Sequence, residues 1–222
     1  MVSEEGSYII EFVGIAGVGK TTIRDQLLII LRKKTDQIST FSGAKLDWKQ
    51  KIDLRLFFKS IEALFRIKHD FIPVKRLYKN WRYFYANQIK LKYYSKMPGI
   101  HLSDQGIFQV IGTMRKHSRN NRINFWNHKN ISGLYLPDLL VIVKAGSEII
   151  SDRQYFRDKK RPTAEFLKNA NIRVQKTVTD AAYIKRKAPF FDYLVVHNNS
   201  REDLEGICQV IMDKIEDDRV HK

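Results

Sequence analysis

A single cysteine, Cys208, stands among 222 residues, which excludes both a disulfide framework and a cysteine-built zinc cluster. Proline and glycine are sparse, at five and eleven, too few for a collagen-like or low-complexity chain. Long apolar runs are missing as well. The stretches Tyr8–Ile15 and Leu139–Val143 fall far short of the roughly 20 residues that span a bilayer. The opening Met1–Ser7 carries Glu4 and Glu5 and no basic cluster, unlike a secretory signal, so a soluble cytoplasmic protein is expected. Acidic residues are in short supply: 24 Asp and Glu against 40 Lys and Arg leave a net charge of +16 and a pI near 9.8. Such a surplus expects a polyanionic partner, whether nucleotide, nucleic acid, anionic sugar or membrane surface. The hydrophobic fraction of 43% excludes disorder and suffices for one cored domain spanning residues 1–222.

Short apolar segments alternate with helical ones. Tyr8–Val13, Ile38–Phe41, Ile100–Ser103, Leu136–Val143 and Tyr193–His197 read as strands. Lys20–Lys34, Ile107–Lys116, a segment around Ser147–Lys160, Pro162–Lys185 and Arg201–Asp217 read as helices. Strands of this kind, buried on both faces and separated by helices, predict a parallel sheet in an α/β fold. Residues 45–96 stand apart. They hold fourteen Lys and Arg against four acids, ten of the sixteen net charges, interleaved with aromatics such as Trp48, Phe57, Trp81 and Tyr85. The spacing Leu54, Phe57, Phe58, Ile61, Leu64, Phe65 predicts one helix, and a second follows Pro73. This region reads as a basic helical insertion, an acceptor lobe within the same domain. Its aromatics serve either as core or as a platform for an anionic or single-stranded ligand.

The chemistry is concentrated between the first strand and the first helix. Gly14-Ile15-Ala16-Gly17-Val18-Gly19-Lys20-Thr21 satisfies G-x-x-x-x-G-K-[ST], the phosphate-binding loop. Glycines let the backbone wrap a phosphate closely, and the bared amides with the positive end of the helix hold anionic oxygens. The expected nucleotide contacts are Gly14, Ala16, Gly17, Val18, Gly19, Lys20, Thr21 and Thr22. Lys20 reaches the β- and γ-phosphates and the Thr21 hydroxyl ligates Mg2+. An Asn-Lys-x-Asp guanine reader is missing. Asp203-Leu-Glu-Gly206 falls inside a predicted helix, and Leu102-Ser-Asp-Gln-Gly106 at a strand end. Asp104 is followed by Gln105 where motor-type ATPases carry a water-activating glutamate, which argues against hydrolysis as the purpose.

The remaining pattern resembles the small P-loop nucleoside and nucleotide kinases, most of all thymidylate-kinase-like proteins. The strand ending in Asp104-Gln105-Gly106, the Pro137-Asp138-Leu139 strand entry, the arginines of Asp152-Arg153 and Arg157–Arg161, and Val195–Ser200 before the last helix carry the likeness. The resemblance implies a P-loop three-layer sandwich with sheet order 2-3-1-4-5, ATP as donor, and transfer of its γ-phosphoryl to a small acceptor. It also implies an arginine-bearing lid. Two departures concern the acceptor: Gln105 stands where the family has arginine, and so does Gln88 in Tyr85-Ala-Asn87-Gln88. A sugar, nucleoside or lipid-linked hydroxyl is thus as good an expectation as a monophosphate.

The expected catalytic set is Lys20, Asp104, Arg153 and Arg157, with Thr21 and Asp104 on the metal side. Arg153 and Arg157 share a helix face at i, i+4; the plain alternative is a solvated face or pairing with Asp152 and Asp158. Asp104 either holds a metal-bound water or accepts the acceptor's proton, the alternative being an N-cap for Ile107–Lys116. Gln109 could contact the acceptor or lie plainly at the surface. Asp138 reads as shaping the turn into its strand, and Cys208 as a small apolar residue. His101, His117 and His128 show no metal spacing. The expected partner is a small, anionic acceptor; a homodimer is compatible with the sequence. The competing reading is a nucleotide-dependent binding or regulatory ATPase that engages nucleic acid or an anionic membrane.

Overall fold

The computed structural model describes residues 6–41, 53–65, 74–116 and 133–220. Trp48, His117, His128 and the remainder of 42–52 and 66–73 within the basic stretch lie outside them. Five strands form one sheet: β1 (Ser7–Val13), β2 (Ile38–Phe41), β3 (Gly99–Ser103), β4 (Leu139–Lys144) and β5 (Asp192–His197). They run parallel in the order β2-β3-β1-β4-β5, the order expected. β1 is central, Ile10 lying level with Leu102 of β3 and Leu139 of β4. β1, β3 and β4 are buried almost throughout, which is why they read as continuous apolar runs.

The helices are α1 (Lys20–Arg32), α2 (Leu54–Phe65), α3 (Val74–Tyr94), α4 (Ile107–Lys116), α5 (Ser147–Asp158), α6 (Ala164–Lys185) and α7 (Asp203–Val220). α1 packs on α7, and α4 packs on α3 and α6, so helical layers cover the sheet. β4 begins three residues later than expected. Pro137 lacks an N–H, and Asp138 turns the chain instead: its Oδ2 accepts from Ile9 N at 2.7 Å.

In the basic region, Leu56, Tyr85 and Ile89 make a small cluster with Phe57 and Trp81 packed on it, while Phe84 and Leu91 join the main core. Gln88 is fully buried and exchanges two hydrogen bonds with the Tyr135 backbone, at 2.9 and 2.8 Å. It is therefore committed to joining α3 to the segment before β4. His101 is buried between the Ser39 hydroxyl and the Met97 carbonyl, a satisfied core histidine.

Candidate active site

The loop from Gly14 to Gly19 leaves β1 and enters α1 in a held conformation. Gly19 is left-handed, with φ +88°, and a Cβ there would stand 2.2 Å from Asn198 Nδ2. Only glycine combines that backbone with that proximity. The loop carbonyls are taken up by side chains from distant elements. Lys20 Nζ donates to Gly14 O at 2.8 Å and Ile15 O at 2.9 Å. Gln154 of α5 donates to Ala16 O at 2.7 Å, and Asn198 beyond β5 to Val18 O at 2.8 Å. α1 has neither a side-chain cap nor an acidic residue in its first turn, so its positive end stays open to an anion.

These elements wall a cleft of about 840 Å³, within the range of ligand sites, ~300–1,000 Å³. Ala16, Gly17, Gly19, Lys20, Thr21 and Thr22 line one side, with Asp104, Arg153 and Arg157 around them. Of the other two expected contacts, Val18 has its side chain in the core and Gly14 lines a second, smaller cavity. The sequence motif thus converges with the end of β3 and with α5, both far along the chain.

Burial pushes the Lys20 ammonium down to about 8, the Arg157 charge acting in the same direction and the Asp104 charge against it. The amine therefore loses its proton as pH rises through that value, unless phosphate oxygens arrive to hold it. ATP affinity is expected to be flat below pH 7.5 and to fall about tenfold per unit above pH ~8. Proton uptake should be visible by calorimetry in buffers of differing ionisation heat. Constant affinity from pH 7 to 9.5 would contradict this.

Asp104 Oδ2 accepts from Arg24 Nη1 at 2.6 Å, an interaction the sequence reading missed although Arg24 lies one turn after Lys20. The other oxygen, Oδ1, is buried with no partner. Asp104 does not cap α4. That position belongs to Glu11 of β1, whose Oε1 accepts from Phe108 N at 2.8 Å and Gln109 N at 3.3 Å. Gly106 makes room for it, since a Cβ there would lie 2.2 Å from Glu11 Cδ. Arg153 is tied to Val18 O at 3.3 Å and Asn198 O at 3.1 Å. Arg157 forks onto its own neighbour Asp158 at 2.7 and 2.6 Å, both about half exposed. An exposed pair of this kind is worth little, so Arg157 can leave it for a ligand at small cost.

The second cavity holds about 250 Å³ and shares Ala16, Gln109 and Thr113 with the cleft. Val13, Phe108, Ile142, Phe166 and Val174 make it largely apolar, and Arg173 and Thr177 add polar groups.

Solved structures with a similar fold include two kinases. A deoxyadenosine kinase from M. mycoides, with dCMP and a flexible dCDP bound, is 15% identical, with 93% of this chain and 98% of that one covered and a TM-score of 0.53. A thymidylate kinase from Ehrlichia chaffeensis is 17% identical, over 95% of this chain and 98% of that one, with a TM-score of 0.52. The fold is that of the P-loop nucleotide kinases. No protein-family model and no curated protein matches the sequence. Within this kinase fold the described residues include no helix long and apolar enough to cross a membrane. Nor do they include a group of three or more His, Cys, Asp or Glu suited to a metal.

Proposed function

We propose that the chain is a phosphotransferase that moves the γ-phosphoryl of ATP to a hydroxyl of a small acceptor. The supporting observation is the pairing of two neighbouring spaces: a cleft built on the phosphate-binding loop and a smaller cavity that shares Ala16, Gln109 and Thr113 with it. A hydrolase needs the first alone.

Lys20 and the open N-terminus of α1 hold the β- and γ-phosphates. Arg153, anchored to the loop and to Asn198, fixes the lid helix against the donor, and Arg157 is the mobile guanidinium that meets the transferring group. Thr21 and Asp104 fit Mg2+: they are hard oxygen donors on one cleft, and one Asp104 oxygen is buried without a partner. With no cage of acids among the described residues, the pair suits an ion held mainly by substrate phosphates and water. Bound there, Mg2+ would neutralise charge on the β- and γ-oxygens. In the transfer, the acceptor oxygen bonds to the γ-phosphorus as the bond to the β–γ bridging oxygen breaks. ADP leaves and the hydroxyl proton passes to solvent water in the cleft.

The test is ADP release with water alone, with a panel of nucleosides, nucleotides and sugars, and with DNA, RNA and anionic vesicles. At least one small compound is expected to raise the rate tenfold or more, with its phosphorylated product appearing in equal amount. Stimulation by polymers or vesicles and by no small compound would replace this reading with a regulatory ATPase.

A further inference from the structure

Resting on the phosphotransferase reading, we propose that the acceptor is a compact anion whose charged group is held by Arg173, in the cavity between α4 and α6. Arg173 lies on α6 beside the buried Val174 and Thr177, with its guanidinium over the Phe166 ring at 5.9 Å. Several other cations of the fold find carboxylates, as Arg24 does with Asp104, Lys185 with Asp192 and Lys214 with Asp218. Among the described residues none pairs with Arg173. Burial alone lowers its proton affinity, so the site bears the cost of desolvating a cation without an internal counter-charge. An anionic ligand supplies that counter-charge, and a guanidinium fork matches carboxylate or phosphate oxygens in pairs.

A second unmet group belongs to a residue of the same wall. Gln109 lines both cavities, and its Oε1 is buried with no hydrogen-bond partner. A bound molecule with an N–H or O–H would satisfy it. Between these two groups the walls are Phe108, Phe166 and Val174, suited to an apolar or flat body. The volume of about 250 Å³ is just below the ~300 Å³ at which drug-sized sites begin, a size that suits part or all of a small anion. The glutamines at 88 and 105 removed guanidinium groups from the expected acceptor positions, and α6 brings one back from another part of the chain.

The experiment measures binding to the full chain with its donor site filled by a non-hydrolysable ATP analogue. The probes are matched pairs: thymidine and thymidine monophosphate, cytidine and cytidine monophosphate, ribose and ribose 5-phosphate, glucose and glucose 6-phosphate. In at least one pair the anion should bind tenfold or more tighter than its neutral partner. Arg173→Gln should abolish that advantage, Arg173→Lys should restore part of it, and affinity for the ATP analogue should change less than twofold. The melting temperature of Arg173→Gln should be unchanged or higher, since a half-buried cation is removed. Equal or better binding of every neutral partner overturns the proposal, as does no binding by any anion at millimolar concentration. An anion preference that survives Arg173→Gln, or an equal loss of ATP-analogue affinity, overturns it too. Tight anion binding without ADP release would refute phosphotransfer and leave the anion pocket standing.

Discussion

Replacing Lys20 with alanine is expected to lower ATP turnover by about 10²–10³-fold, the usual cost of removing one preorganised donor from a transition-state charge, while the unliganded fold stays at least as stable. The two halves of this result have one origin. The ammonium is largely buried, its proton affinity is lowered to about 8 by that burial, and its partners are two carbonyl oxygens and no direct carboxylate. A cation held this way is a cost to the empty protein and an asset once phosphate oxygens replace the carbonyls. Thermal melting without nucleotide should therefore show no loss for Lys20→Ala, whereas the upward shift that ATP gives the native chain should vanish. Near-native turnover in this variant would remove the loop from the chemistry.

The second large effect concerns stability. Glu11 sits fully buried in the central strand, and burial pushes its carboxyl from 4.5 up to about 8, outweighing the opposing N–H bonds from the start of α4. The folded chain therefore keeps a proton that the unfolded chain has lost. Between about pH 4.5 and 8 the folded state binds more protons than the unfolded state, so stability is full below that window and falls as pH rises through it. The full shift corresponds to a loss on the order of 5 kcal/mol. Glu11→Gln keeps an oxygen for Phe108 N–H and cannot ionise. Denaturant melts should show native and variant alike near pH 5 and the variant several kcal/mol more stable at pH 9, on the scale of that shift. Parallel pH profiles for the two would sink this account. Gly106→Ala should destabilise at every pH, because the new methyl would meet Glu11 Cδ.

The strand-and-helix alternation and the phosphate loop were legible because both are written in contiguous residues, whereas the sheet order came only with the resemblance to P-loop kinases. Apolar strand runs, a glycine turn and a helix beginning at Lys20 occupy one short window, and local pattern reports them directly. Arg153 and Arg157 were legible as a pair but not in their different partners. Spacing put Arg153 and Arg157 on one face, yet only the packed structure ties Arg153 to Val18 O and leaves Arg157 on Asp158. Capping of α4, the plain alternative for Asp104, falls instead to Glu11, an acidic residue in the middle of β1. The one signal was Glu11 itself, an acid inside an otherwise apolar strand.

By itself the sequence determined a parallel α/β sheet and a loop made for phosphate, since backbone period and glycine placement act over a few residues. Tertiary structure decided what surrounds that loop. Asn198 meets Val18 across 180 residues, Gln154 meets Ala16 across 138, and Glu11 meets Phe108 across 97. Each is a polar side chain whose partner is a backbone group, and a backbone group has no identity in the sequence. Only the folded chain shows where such carbonyls and N–H groups come to lie, and which charged side chain, such as Arg173, is left facing a cavity.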